Sequence, residues 1–328
     1  MTADPAKTPD EEPRGVWAAA APKSGPLPSP PRSSPPQKGP RRVLYRMSGG
    51  RLNLGPSASE RNHRQVIARV RTPATTGQRR VAFVSLKGGV GKTTTTLMLG
   101  HTLATCRGDN VIAIDANPDA GNLASRVRRE TTAAARDLLR SAGDIERYSD
   151  VRAFTSQADS RLEVLAADTD PALSEAFSAA DYSAVLSALE RFYSIILTDC
   201  GTGILHDAMR AVLWYADQLV VVTSPALDSA QALGQLLDWL DQHSYHHLVE
   251  GSVVVINAVR RDGRKSADRC VAHFRPRARA VVTIPYDGAL AAGTDIELTD
   301  LRGRTQQAYL ELAAVVGDGF ASPRLEGR

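Results

Sequence analysis

The residues best suited to chemistry form one run, Lys87-Gly88-Gly89-Val90-Gly91-Lys92-Thr93-Thr94. Glycines at this density leave backbone N–H groups free to wrap phosphate oxygens, and a helix starting near Lys92 would add the positive end of its dipole. Lys92 is then placed to reach the β- and γ-phosphates of a nucleotide, and the Thr93 hydroxyl to ligate Mg²⁺. The standard pattern G-x-x-x-x-G-K-[ST] needs glycine where this chain has Leu86, so the loop is a variant. The chemistry it implies is binding of ATP with Mg²⁺.

A second concentration of functional groups lies over residues 258–280, with eight basic residues against two acidic. Arg260, Arg261, Arg264, Lys265, Arg269, Arg275, Arg277 and Arg279 could form a face that contacts nucleic-acid phosphates without reading sequence. A solvated helix face or a protein interface fits the same composition. His243, His246 and His247 are close in sequence, but nothing supplies the further ligands that a metal site needs. The three cysteines, Cys106, Cys200 and Cys270, are scattered and include no C-x-x-C pair, which argues against an iron–sulfur cluster and fits reduced cytoplasmic thiols.

These groups need a frame, and the alternation of apolar runs supplies one. Candidate strands are 81–86, 110–116, 161–167, 193–199, 218–224, 252–258 and 280–285, rich in Val and Ile. They are continuous rather than alternating and are separated by stretches of helical length, expected at about 92–107, 131–141, 181–192, 204–215, 228–243, 265–274 and 299–316. That is the pattern of a mostly parallel sheet buried on both faces, a doubly wound α/β domain. The Lys87–Thr94 run falls between the first strand and the first of these helices, where a phosphate loop belongs.

Eleven of the 19 prolines lie in the first 40 residues, so that segment is read as a disordered tail, able to engage a protein partner through its proline-rich strings. Residues 1–80 carry 15 Lys/Arg against 5 Asp/Glu, so the basic character of the chain belongs mainly to its start. Ser57-Ala-Ser-Glu60 has the form of a capping box, followed by Val66, Ile67 and Val70 at helical spacing, which predicts a short basic helix ending before Thr72-Pro73. The organisation expected is therefore a tail over 1–40, a basic linker with a short helix over 41–78, the α/β domain over 79–318 and a flexible end over 319–328. No run of about 18 apolar residues spans a membrane, and no secretory signal opens the chain, so a cytoplasmic location is expected.

With Lys87 ahead of the glycines, the loop resembles the deviant Walker A loop of the MinD/ParA family of P-loop ATPases, and the resemblance runs in order over roughly residues 79–316. It implies that Lys87 reaches across an ATP-dependent homodimer to the partner's nucleotide. Asp115-Ala-Asn117-Pro118-Asp119-Ala-Gly121-Asn122 resembles the family's switch segment, and YSIILTD ends in Asp199 at the Walker B position. The resemblance implies that Asp115 and Asp199 stand near the metal and its waters. It places Asn257 where the family reads adenine, and Pro285 and Tyr286 in the loop lining the base. One departure bears on catalysis: Asn117 stands where the family has the aspartate that activates water. Asparagine can orient water but cannot accept its proton, so hydrolysis is expected to be slow, with Asp119 a possible substitute.

The lead-in over 48–94 is similar to that of the actinobacterial, EspI-like MinD/ParA proteins linked to type VII (ESX) secretion, which implies a switch controlling a secretion or regulatory partner. Two other roles stay open: a partitioning ATPase on nonspecific DNA, and a nucleotide-binding scaffold with little turnover. The C-terminal VVGDGFASPRLEGR is no basic amphipathic helix, so the membrane attachment of MinD itself is not expected there.

Overall fold

The computed structural model describes residues 35, 39–73, 77–117, 121–168, 170, 172, 174, 176–293 and 295–321. Nearly all of the proline-rich stretch therefore lies outside the described residues. The chain divides into two compact units, residues 1–60 and 61–328.

The described part of the first unit centres on helix α1 (Gly39–Met47). Gly49 and Gly50 end it with left-handed backbone, φ +57° and +82°, and Gly50 N–H bonds back to the Tyr45 carbonyl at 2.9 Å. Helix α2 (Ala58–Val70) begins at the unit boundary, and Ser57 Oγ accepts the Glu60 N–H at 3.1 Å, half of the expected capping box.

The second unit is built on strands β1 (Arg79–Val84), β2 (Val111–Ala116), β3 (Ser156–Gln157), β4 (Glu163–Leu165), β5 (Ile195–Cys200), β6 (Gln218–Thr223), β7 (Val253–Val259) and β8 (Ala280–Pro285). Their order is β3-β4-β2-β5-β1-β6-β7-β8, and every neighbouring pair is parallel except β3–β4. The helices between and after them are α3 (Lys92–Cys106), α4 (Ala135–Arg140), α5 (Tyr148–Arg152), α6 (Ala179–Leu189), α7 (Asp207–Tyr215), α8 (Leu227–Gln242), α9 (His246–Glu250), α10 (Arg264–Phe274), α11 (Gly288–Ala291) and α12 (Gly303–Asp318).

Alternate residues of one strand feed two cores. Val81 and Phe83 of β1 pack with Leu97, Leu99 and Leu103 of α3 and Leu312 and Val316 of α12. Ala82 and Val84 pack with Leu186 of α6, Val212 of α7, Leu237 of α8 and Phe274 of α10 on the opposite face. Burial on both faces is why these strands read as unbroken apolar runs, and the doubly wound, mostly parallel α/β architecture follows.

Several elements differ from the sequence expectation, with identifiable causes. The strand expected over 161–167 shrinks to 163–165, because Arg161 takes left-handed backbone (φ +74°) and turns the chain into an antiparallel pairing with β3. The Asp137 carboxylate accepts the Ala134 N–H at 2.9 Å, which starts α4 at Ala135 rather than near 131. Asp300 does the same for Glu297 and makes 298–300 a separate turn, so α12 begins later than expected. Residues Arg61–Val70 of α2 join this body. Val70 is fully buried, Gly317 of α12 lies against its backbone, and Arg107 Nη1 donates to the carbonyls of Val70 (2.6 Å) and Thr72 (2.7 Å). After α12, a short turn buries Phe320 in the core beneath the Arg107 guanidinium.

Candidate functional site

Strand β1 is flanked by β5 on one side and β6 on the other, so the chain leaves it in one direction and later returns in the other. Crevices form at the carboxyl ends of strands at such a switch point. The loop from Ser85 to Gly91 lies there and runs directly into α3. Gly91 takes φ +88°, and a Cβ on it would stand 2.0 Å from Asn257 Nδ2, so both backbone conformation and space require glycine. Asn257 is itself buried at the end of β7. Its Nδ2 donates to Val90 O at 3.0 Å and its Oδ1 accepts the Ala258 N–H at 2.8 Å, fastening the loop to the sheet.

A cavity of about 470 Å³ opens over this loop, lined by every residue from Lys87 to Thr94. Asn117, Asn122, Arg126 and Thr202 form one wall; Asn257, Ala258, Pro285, Tyr286, Asp287 and Leu290 form the other. Three side chains meet on Asp199: Lys92 Nζ donates to Oδ1 at 2.7 Å, Thr93 Oγ1 to Oδ2 at 2.6 Å, and Thr96 Oγ1 to Oδ1 at 3.3 Å. The Lys92–Asp199 pair is almost completely buried.

Asp115 stands beside Asp199 in the β2–β5 register, also buried, and accepts N–H groups from Leu123 at 2.9 Å and Asn117 at 3.2 Å. Burial, and then the neighbouring Asp199 carboxylate, hold its carboxyl well above the usual carboxylate range. A Cβ on Gly121 would lie 2.0 Å from Asp115 Oδ1, so the segment that follows passes tightly over this carboxylate. Asp119 lies outside the described residues. The hydroxyl and the two carboxylates are hard oxygen donors that fit Mg²⁺ taking its other ligands from phosphate and water. Among the described residues no group of three or more His, Cys, Asp and Glu is arranged to hold a metal by itself.

Lys87 does not point into isolation: it is ion-paired with Asp228 in the first turn of α8, both side chains being solvent-accessible. Arg126 and Asp287 are among the cavity residues that the sequence reading did not single out. Arg126 Nη1 donates to Thr94 Oγ1 at 2.7 Å, bringing a cation to the start of α3. Nothing in its spacing marked it. Asp287 was legible as the N-cap before Gly288. It accepts from Arg302 N (3.0 Å), Thr305 Oγ1 (2.8 Å) and Ala289 N (3.3 Å), tying the Pro285–Tyr286 wall to α12. Burial opposes ionisation of Asp287, but these donors hold its pKa below the ordinary value.

The basic segment is not one face. Arg260, Arg261 and Arg264 line a groove of about 670 Å³ with Arg302 and Arg304, next to Asp262, Asp268 and Glu311. Arg260 stacks on the Tyr286 ring, its guanidinium carbon 3.8 Å from the centroid. Arg277 is paired with Asp238 (2.7 Å) and Asp241, and Arg279 donates to the carbonyls of Gly251 and Val315. Lys265, Arg269 and Arg275 are exposed.

Residues 81–296 match the model of the CobQ/CobB/MinD/ParA nucleotide binding domain. The chain belongs to this family. Its fold is that of MinD and ParA ATPases. The septum site-determining protein MinD of Pyrococcus horikoshii, solved with Mg-ADP, superposes with a TM-score of 0.57 at 23% identity, over 72% of this chain and 94% of that one. ParA of Caulobacter vibrioides is 29% identical over 259 residues, 72% of this chain and 92% of ParA. The ESX-1 secretion-associated protein EspI of Mycobacterium tuberculosis is 40% identical over 273 residues, 82% of this chain. The match spans only 41% of the length of EspI. No helix of the described residues in this MinD/ParA-type chain is long and apolar enough to cross a membrane.

Proposed function

We propose that this MinD/ParA-type protein is a MgATP-binding switch that dimerises around its nucleotide and hydrolyses it slowly. The observation that carries the reading is that Lys92 and Thr93, which line the cavity, converge on the carboxylate of Asp199 buried behind them. The glycine loop and the first turn of α3 offer backbone N–H groups to the phosphates, and Lys92 offers charge. Thr93, Asp199 and Asp115 would hold Mg²⁺, which supplies charge neutralisation when bound. Asn257, Pro285 and Tyr286, at the far wall, would face the base. The Asn117 amide, on the opposite wall, would orient water without taking its proton.

Two observations support dimerisation. The Lys87–Asp228 pair is exposed, and such pairs contribute only about 0–1 kcal/mol, so Lys87 can exchange Asp228 for a partner's phosphate at little cost. Leu205 and Leu227, 78% and 75% exposed, follow the carboxyl ends of β5 and β6, the two parallel neighbours of the strand that leads into the phosphate loop, and offer apolar surface to a second copy. Light scattering of the purified chain with ATP and with ADP tests this: a dimer with ATP alone is expected, and monomers in both would overturn it.

The 40% identity to EspI supports placing the switch in the cytoplasm, controlling type VII secretion, with the proline-rich tail over 1–40 engaging a protein and the ATPase domain over 79–318 reporting nucleotide state. The similarity to Caulobacter ParA favours a second reading, partitioning on nonspecific DNA through the arginine groove. Fluorescence titration with ATP and ADP, then phosphate release with and without DNA, separates these from a scaffold. Turnover raised by DNA favours partitioning, and tight binding without turnover leaves a nucleotide-sensing scaffold.

A further inference from the structure

Five of the nine large apolar side chains exposed among the described residues fall within twelve positions: Val43, Leu44, Met47, Leu52 and Leu54. At 100° per residue, Val43, Leu44 and Met47 share one side of α1, while Arg41, Arg42 and Arg46 occupy the remainder. The left-handed glycines Gly49 and Gly50 stop the helix, and Ser48 Oγ accepts the Leu52 N–H at 3.0 Å, which holds Leu52 close to the helix end, with Leu54 two residues on. Between Gly39 and Ser59 there are four arginines and no Asp or Glu. Apolar surface concentrated this way carries a free-energy cost in water and marks an interaction site.

We infer that residues 39–54 dock on the surface of an anionic lipid bilayer, with the apolar side chains entering the headgroup–acyl boundary and the arginines meeting lipid phosphates. Charge complementarity chooses this occupant. A basic amphipathic helix lies in the plane of such an interface, and each Lys or Arg near an anionic leaflet strengthens binding several-fold. A nucleic acid would meet the arginines but leave five aliphatic side chains in water. A nine-residue helix gives weak, reversible attachment, sensitive to salt and to lipid charge. The inference does not depend on the nucleotide reading, since it rests on the residues of the first unit alone.

The test is co-sedimentation of the full chain with vesicles of phosphatidylcholine alone or mixed equally with phosphatidylglycerol. Binding to the mixed vesicles is expected to exceed binding to pure phosphatidylcholine by about tenfold and to fall in high salt. Leu44→Glu/Met47→Glu should lose about tenfold in vesicle affinity while keeping its melting temperature and ATP titration. Arg41→Glu/Arg46→Glu should lose the preference for anionic lipid. Absence of binding to mixed vesicles, or equal binding by wild type and Leu44→Glu/Met47→Glu, would overturn the inference. So would a drop in melting temperature for that variant without any vesicle binding by the wild type, which would show that the face covers the chain itself.

Discussion

At the phosphate loop, Lys92, Thr93 and Thr96 converge on the single carboxylate of Asp199; across residues 258–280, eight basic residues disperse over a groove, a helix surface and two separate partnerships. In the first region Lys92, Thr93 and Thr96 follow one strand and loop in immediate succession, so spacing fixes their geometry locally, and the β1–β5 register brings Asp199 to them. The second is a run of charge across a strand end, a helix and a following turn, whose side chains leave in directions set by packing. Motif spacing within one strand–loop–helix unit therefore transfers to space, whereas a charge run transfers only as composition.

The largest effect expected is at the convergent site. Lys92→Ala should abolish ATP binding in a fluorescence titration and, by stranding the buried Asp199, lower stability in urea unfolding by about 3–5 kcal/mol. Retention of both would mean that the convergence is incidental. His101, on the same helix α3, is fully buried with no partner for Nε2, and burial pushes its pKa down to about 4. Its neutral form is the one the fold accommodates, so the stability it preserves is complete above pH 6.5 and drains away as pH falls toward 4. The loss should approach about 3 kcal/mol, and a His101→Gln variant should show a flatter melting profile over that window.

Intermediate effects sharpen the roles of the cavity walls. Arg126→Ala should weaken ATP binding by roughly tenfold, the order expected for one charge-assisted contact, with little change in melting temperature. An unchanged affinity would leave Arg126 as a brace for Thr94 alone. Asn117→Asp should raise phosphate release by supplying a base, and a rate equal to or below wild type would sink the claim that Asn117 limits hydrolysis.

The smallest effects are expected in the dispersed region. Arg261→Ala/Arg264→Ala should reduce heparin retention more than Arg277→Ala/Arg279→Ala does, because Arg261 and Arg264 are exposed along the groove whereas Arg277 and Arg279 are already engaged within the chain. Equal losses from the two pairs would break the contrast between groove and dispersed charges.

Much of the fold and site was legible beforehand, for definite reasons. The strand positions came through because burial on both faces imposes unbroken Val/Ile runs, and the phosphate loop because glycine is the residue that meets φ +88° at Gly91 beside Asn257. Asp115 and Asp199 were legible as strand-terminal carboxylates, and their adjacency across β2 and β5 follows from the parallel register. Less visible were β3 and the short helices α5 and α9, where one left-handed residue or one turn sets the structure and no periodicity accumulates.

The sequence alone determined the phosphate loop, the alternation of strand and helix and the family's order of motifs, since each is encoded in neighbouring residues. Only the tertiary structure decided that Arg126 joins the cavity, that Lys87 rests on Asp228 and that the arginines of 258–280 part company while Arg302 and Arg304 join some of them. Those pairings link segments 32, 141 and about 40 residues apart, and such distances close only when the sheet order brings the segments together.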